Sequence, residues 1–150
     1  YTCNSQKSNN DNTDFRYLEM EYKSREEGCI FCDKQNQKDI INENSMAYVI
    51  LDGFPVTNGH CLIIPKRHCK DYFDLTQGEV NGTNQLIHTE KERLERLDKT
   101  ITGFNLGVNC GVSAGQTIFH CHIHLIPRRD NDTDNAIGGI RKVVDGEGDY

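Results

Sequence analysis

Three histidines stand at alternate positions in His120-Cys121-His122-Ile123-His124. Alternation of this kind puts them on one face of an extended strand, with Cys121, Ile123 and Leu125 on the other. At a rise of ~3.3 Å per residue the ring bases are roughly 7 Å apart, so the ring tips can converge around one tetrahedral anion. A helix would align His120 with His124 but throw His122 to the opposite side, and the β-branched and aromatic neighbours favour the strand. A neutral imidazole is a competent nucleophile near pH 7 and needs little adjustment of its pKa. The same spacing also fits an exposed histidine-rich strand or an incidental metal site, so the flanking residues must decide.

A second group with chemical potential is Cys29-x-x-Cys32, two sulfurs at zinc-knuckle spacing. A redox pair of the thioredoxin kind would want a strand before it and a helix opening at it, and the pattern predicts neither. Two reduced structural thiols are the remaining alternative. Positive charge gathers at Lys66-Arg67-His68 and at Arg128-Arg129, and the arginine pair reads as solvated surface. His88, inside the long helical stretch, reads as a surface residue.

The elements that must hold these residues follow from the periodicity. Residues 1–13 are almost all polar and read as a disordered tail, leaving 14–150 as one domain. Asp14 can cap a short helix to about Glu27, ended by Gly28, with Cys29 to Cys32 in a turn. Ile40-Ile41, Met46 to Leu51 and Cys61 to Ile64 are short apolar runs separated by turn formers, an antiparallel meander. Thr76 to Ile101 is the one long helical segment, with Val80, Ile87, Leu94 and Ile101 at seven-residue intervals, Leu86 and Leu97 beside them, and Gly103 closing it. Strands are expected again at Phe104 to Asn109 and at Thr117 to Ile126, stopped by Pro127, with a late strand at Ile140 to Val144. Strands, one main helix and strands again define an α+β class with about five antiparallel strands, one long helix and a short N-terminal helix.

Composition narrows the function classes. A chain of 150 residues with 35% hydrophobic and 27% charged residues can bury a core without disulfides. The net charge of −6 speaks against nucleic-acid binding, which needs a basic surface, but not against a small phosphate ligand. No apolar run approaches the roughly 20 residues of a membrane span. Seven cysteines, an odd number, point to a reducing, cytoplasmic setting, although Asn81-Gly82-Thr83 and Asn131-Asp132-Thr133 form glycosylation triplets. A chain that begins at Tyr1 reads as processed or trimmed, and no targeting segment is visible.

The run Asn109-Cys110-Gly111-Val112-Ser113-Ala114-Gly115-Gln116-Thr117-Ile118-Phe119 leads into the histidines and on through Leu125-Ile126-Pro127-Arg128. It resembles the signature of the histidine triad (HIT) family, a Gly-Gln-Ser/Thr turn before His-φ-His-φ-His-φ-φ, φ being apolar. The resemblance extends upstream to Asp52, Gly59-His60 and Ile64-Pro65-Lys66-Arg67-His68, and covers roughly residues 28 to 144. Gly138-Gly139-Ile140-Arg141 looks like bacterial-type members close to the Fhit branch, and Cys121 stands where Val, Leu or Tyr is more usual. The resemblance implies a HIT-like fold and a hydrolase or transferase in which His122 attacks the α-phosphorus of a purine nucleotide or dinucleotide. A nucleotidyl-imidazole forms and is then cleaved by water. Phosphoryl transfer of this kind asks chiefly for positioning and charge neutralisation. His60 and His124 would hold phosphate oxygens, and Gln116 would serve the bridging oxygen or water. Asn109, Gln116, Thr117 and the amides of the Gly115 turn would line the phosphate pocket, and Asp52 would bind the ribose hydroxyls. By the same resemblance Cys29, Cys32, His68 and His120 would hold a structural zinc that the chemical step does not need. Family members are typically homodimers. Three alternatives are a phosphorolytic transferase using the same histidine, a zinc-stabilised nucleotide-binding module without turnover, and an interaction protein with a vestigial triad.

Overall fold

The protein is described by a computed structural model covering residues 25–34 and 38–144. The expected polar tail, and the expected first helix up to residue 24, lie outside the described residues; Arg25 to Cys29 are irregular. A short helix, α1 (Ile30–Lys34), forms where a turn from Cys29 to Cys32 is expected. There follow β1 (Ile40–Glu43), β2 (Ala47–Leu51), β3 (Cys61–Pro65), α2 (Gln77–Leu97), β4 (Ile101–Val108) and β5 (Ile123–Arg129). The five strands make one antiparallel sheet in the order β1-β2-β3-β5-β4. This is the α+β architecture that the strand and helix pattern predicts.

Both faces of the central strands are buried, which explains why β2 and β3 read as continuous apolar runs rather than alternating ones. Ala47, Val49, Cys61, Ile63, Ile123 and Leu125 pack against Leu86 and Leu94 of α2. Tyr48, Ile50, Leu62 and Ile64 point the other way and pack against Phe31 of α1. The buried Tyr48 hydroxyl donates to the Phe31 carbonyl at 2.5 Å, which ties α1 to that second face. No helix among the described residues is long and apolar enough to cross a membrane.

Helix α2 begins directly after Thr76, where the long helical segment is expected to start, and Thr76 caps it. Thr76 Oγ1 accepts from the Glu79 amide, and Glu79 reaches back to the Thr76 amide. Its buried stripe is Glu79, Thr83, Leu86, Glu90 and Leu94; of the expected apolar positions Leu86 and Leu94 are in it, Ile87 and Ile101 pack against the core, and Leu97 is exposed. Two glutamates can take inward positions because each has an arginine: Arg67 grips Glu79 with two nitrogens, and Arg93 grips Glu90. The helix also stops earlier, at Leu97, which frees Ile101 and Gly103 to open β4. Gly82 belongs to the packing, since a Cβ there would sit 2.6 Å from Met46 Cβ.

Two strand expectations are corrected. Pro127 does not stop β5, which runs to Arg129; beyond the Cys61–Leu125 pair the strand is laddered only to β4, so one side needs no N–H. The late strand is a 3-10 turn at Gly139–Val143, bent by positive φ at Gly138 and Gly139, with Ile140 resting against Gly107. Nor is the arginine pair plain solvated surface. Arg128 pairs with Asp132 and Asn105, and Arg129 joins Asp98 to Thr57 and Asn58.

Candidate functional site

The histidine run is not one strand. Only His124 lies in β5; His120, Cys121 and His122 form an irregular approach to it. Two external bonds hold that approach out of the ladder: His120 Nε2 donates to the Pro65 carbonyl at 2.8 Å, and the Cys121 amide donates to the Cys69 carbonyl at 2.8 Å. The three imidazoles therefore divide. His120 turns towards the N-terminal cysteines, while the His122 and His124 rings stay together with centroids 5.3 Å apart.

His122 is buried, with Phe31 tilted against its ring at 5.2 Å. Its Nδ1 lies 2.7 Å from the backbone carbonyl of His120. A carbonyl only accepts, so Nδ1 carries the proton and Nε2 keeps its lone pair. That is the nitrogen a nucleophile needs.

The loop from Asp52 to His60 joins β2 to β3 and is closed by the Asp52 amide on the His60 carbonyl, 3.0 Å. Gly59 turns it with φ 87°, at a place where a Cβ would come 3.1 Å from Leu94 and 3.3 Å from Pro127. The Val56 amide donates to His60 Nδ1 at 3.2 Å. His60 Nε2 therefore bears the ring proton, directed at His124 Nδ1 (2.9 Å) and Asp52 Oδ2 (3.3 Å). His124 in turn keeps a proton on Nε2, a donor on a side chain that is 22% exposed. Burial, helped by the neighbouring His122 and His60, pushes His124 down to about 4, and burial lowers His60 against the pull of Asp52. Both rings are neutral at pH 7, as this proton chain requires.

At the other end of the run Cys29, Cys32, His68 and His120 bring one ligand atom each to within 4.8 Å of one another. Cys29 Sγ is 3.3 Å from His120 Nδ1, and Cys32 Sγ is 3.5 Å from His68 Nδ1 and 3.6 Å from His120 Nδ1. Tetrahedral zinc with bonds of ~2.3 Å to sulfur and ~2.05 Å to nitrogen separates the two by about 3.6 Å, so the donor set fits that ion. Both far nitrogens are held by acceptors, His120 Nε2 by Pro65 O and His68 Nε2 by the Glu26 carboxylate at 2.6 Å. Each Nδ1 therefore turns a lone pair inward. Burial, reinforced by Cys29, pushes the Cys32 thiol up to about 11, and burial lowers His120 to about 4. A cation that displaced the thiol protons would reverse the cysteine shift. The six described cysteines are all free thiols.

The turn before the histidines is arranged differently from expectation. Gln116 is buried and faces inward: Oε1 accepts from the Gly111 amide, and Nε2 donates to the carbonyls of Lys70 and Ile118. The Ala114, Gly115 and Gln116 amides are all used within the turn, so none is presented to a phosphate here. Asn109 and Thr117 are exposed, and the Asn109 amide lies beside Gly115. Asp52 uses Oδ1 on the Phe54 amide at 2.8 Å and Oδ2 towards His60, a turn cap as well as a member of the histidine group. His88 is exposed, as expected. Sequence reading missed Phe31, Glu26, the Pro65 carbonyl and the Val56 amide; the last two are backbone groups and carry no side-chain signal.

An antiparallel sheet with one long helix behind it, and split histidine clusters beside the central strands, define an α+β protein of the HIT fold. A HIT domain model matches residues 33–131, and the chain belongs to the HIT family. It is 37% identical to an uncharacterized HIT-like protein of Mycoplasma genitalium over 71% of this chain and 77% of that one. It is 32% identical to an adenylylsulfatase of Arabidopsis thaliana, over 82% of this chain and 64% of the longer relative. Among solved structures it is similar to a zinc-bound histidine triad protein from Mycobacterium smegmatis: TM-score 0.64, 33% identity, 71% of this chain and 78% of the other. It is also similar to the Plasmodium falciparum diadenosine triphosphate hydrolase: TM-score 0.61, 30% identity, 67% of each chain. HIT proteins are generally nucleotide hydrolases or transferases.

Proposed function

We propose that this protein is a nucleotidyl hydrolase in which His122 Nε2 attacks the α-phosphorus of a purine nucleotide derivative. The observation that carries the reading is the His122 Nδ1 contact with the His120 carbonyl, which leaves the Nε2 lone pair as the reactive atom. Attack forms the N–P bond and breaks the bond from phosphorus to the leaving group, which departs with its electron pair. Water then adds to phosphorus and releases the nucleotide and His122. The neutral His124 Nε2–H supplies a donor for a phosphate oxygen, strengthened as charge develops in the transition state. His60 holds His124 in that tautomer. Asp52 joins the group from the loop and takes the ribose hydroxyls when substrate displaces its present partners. Asn109 and Thr117 line the phosphate side, and Gln116 with Gly115 shapes that turn from within.

The named relatives, an adenylylsulfatase and a diadenosine triphosphate hydrolase, support an adenylyl group on the reacting phosphorus. Likeness to the second, with Gly138 to Arg141, supports a place near the Fhit branch. Cys29, Cys32, His68 and His120 hold zinc as a structural ion, a reading supported by their spacing and by the zinc-bound relative. When bound, that zinc braces the segment before His122, and no chemical step passes through it. A homodimer through β4 is part of the same reading, because β4 is an eight-residue edge strand with Leu106 46% exposed. The odd cysteine count supports a cytoplasmic setting.

The test is a panel of adenosine phosphoramidates, diadenosine polyphosphates and adenylyl sulfate, with and without inorganic phosphate, run beside His122→Ala. Turnover is expected to vanish in the variant, and mass spectrometry of quenched wild-type protein should find a nucleotidyl group on the His122 peptide. Turnover undiminished in the variant would sink the mechanism.

A further inference from the structure

Asp52 Oδ2, His60 Nε2 and His124 Nδ1 also lie within 4.8 Å of one another, separated by 2.9, 3.3 and 3.7 Å. Two imidazoles and a carboxylate at such spacing are a donor set that zinc and other divalent transition ions accept. By distance alone this cluster competes with the cysteine cluster for the same ion. The ring nitrogens facing away from the two clusters tell them apart. In the cysteine cluster each outer nitrogen meets an acceptor, Pro65 O or the Glu26 carboxylate, so the inner nitrogen is a lone pair. In the Asp52 cluster the outer nitrogen of His60 meets a donor, the Val56 amide. A neutral ring has one proton, so His60 must carry it on the inner nitrogen, in the place a metal would occupy.

We propose that the Val56 backbone amide is a positioning group that fixes the His60 tautomer, keeping divalent metal out of the catalytic cluster and handing His124 an Nε2–H for phosphate. The metal consequence stands on geometry alone; the phosphate consequence rests on the nucleotidyl-transfer reading above. Turning the ring proton to Nδ1 would set N–H against N–H in a buried place, a repulsion with no water to relieve it. The amide cannot move aside easily, because its loop is tied at several points. Pro55 fixes the backbone before it, Phe54 N–H caps Asp52, His60 N–H returns to the Thr57 carbonyl, and Arg129 grips Thr57 and Asn58. One chain thus keeps two histidine clusters a few residues apart with opposite affinities for the same ion.

Two readouts independent of turnover test this. Nitrogen-15 NMR of histidine-labelled protein should find His60 and His124 both as Nε2–H tautomers, assigned by His60→Asn and His124→Asn. Titration with Co²⁺, followed by absorption, and elemental analysis after Zn²⁺ loading should give one ion per chain, lost in Cys32→Ser. In Val56→Pro, which deletes the amide proton, a second Co²⁺ or Zn²⁺ should bind ~10–100-fold more tightly than any second ion binds wild type. Adding His60→Asn should abolish that second ion, and Val56→Ala, which keeps the amide, should retain the wild-type tautomer. A wild-type His60 bearing its proton on Nδ1, or a second ion bound by wild type and lost in His60→Asn, overturns the proposal. Should Val56→Pro fail to fold, the wild-type tautomer and stoichiometry still decide it. Correct tautomers in a protein without nucleotidyl turnover would instead overturn the reading of function and leave this one standing.

Discussion

His120 and His124 are four residues apart in the chain, yet they belong to clusters with opposite chemistry. Around His120 the neighbours of the outer nitrogens are acceptors, and the inner nitrogens face two sulfurs as lone pairs. Around His124 the outermost partner is a donor, and a proton runs inward from His60 to His124 and ends on Nε2. One arrangement suits a cation, as the proposed function requires; the other offers hydrogen to an anion. The difference lies in what touches the far side of each imidazole, and in both clusters backbone groups help to make that contact. His122 sits between them, its own far nitrogen set by the His120 carbonyl. On the proposed function, the cysteine cluster thereby positions the peptide whose oxygen prepares His122.

The largest expected effect comes from breaking the cation side. Cys32→Ser should abolish bound zinc and lower the thermal midpoint by many degrees, because structural zinc in small domains contributes on the order of 10 kcal/mol of apparent binding energy. The core on both sheet faces should still let the chain fold, so calorimetry with elemental analysis reads the loss directly. Chelating the metal from wild type should lower stability in the same way while leaving the chemical step intact at low temperature. Catalysis abolished with fold and nucleotide affinity intact would merge the two clusters into one function and break the comparison.

Breaking the anion side should do the reverse. His124→Ala should keep its zinc but lose ~10²–10³ in kcat, the usual loss when one donor to developing charge is removed. The acid side of the stability curve sharpens this. Burial holds His124 at about 4 when folded, against ~6.5 when unfolded. Below pH 6.5 the unfolded chain therefore binds the extra proton, and stability falls as pH drops towards 4, then levels. Above pH 6.5 this group contributes nothing to the slope. Denaturant titrations at pH 7 and pH 4 should differ by about 3 kcal/mol at most from this group, and His124→Ala should remove that share. An unchanged acid slope in the variant would show His124 charged in the folded protein.

Much of the scaffold was legible in the sequence because its signals are local. The apolar runs of β2 and β3, the start of the long helix at about Thr76 and the turn formers around Gly53 and Gly59 each act through neighbours in the chain. The α2 stripe was read only in part because Glu79 and Glu90 count as polar in any periodicity; Arg93 stands at helical spacing from Glu90, but Arg67, the partner of Glu79, becomes visible only with the geometry. The histidine strand was misread for a related reason. Alternation describes side-chain faces within a ladder, whereas Pro65 and Cys69 pull His120 and Cys121 out of it. Residue types and spacing were enough to find the histidines; their protons depend on the Val56 amide and the Pro65 and His120 carbonyls, which leave no side-chain signal.

The smallest expected effect tests how far the comparison extends outward. Among the described residues, Glu26 is the one outer partner of the cluster's histidines that a substitution can change, since Pro65 contributes a backbone oxygen. Its carboxylate is 65% exposed, so solvent screens its charge, and its main work is to orient His68 through Nε2 at 2.6 Å. Glu26→Gln retains an accepting oxygen but loses the charge that raises the basicity of the ring. Zinc affinity, measured by competition with a chromophoric chelator, should fall by ~10-fold, at the low end of what removing an outer partner costs. The His60 and His124 tautomers and kcat should not change, because Glu26 touches neither ring. A fall in kcat at full zinc loading would mean that the two clusters communicate through the His120 peptide, and that the division between cation and anion sides is incomplete.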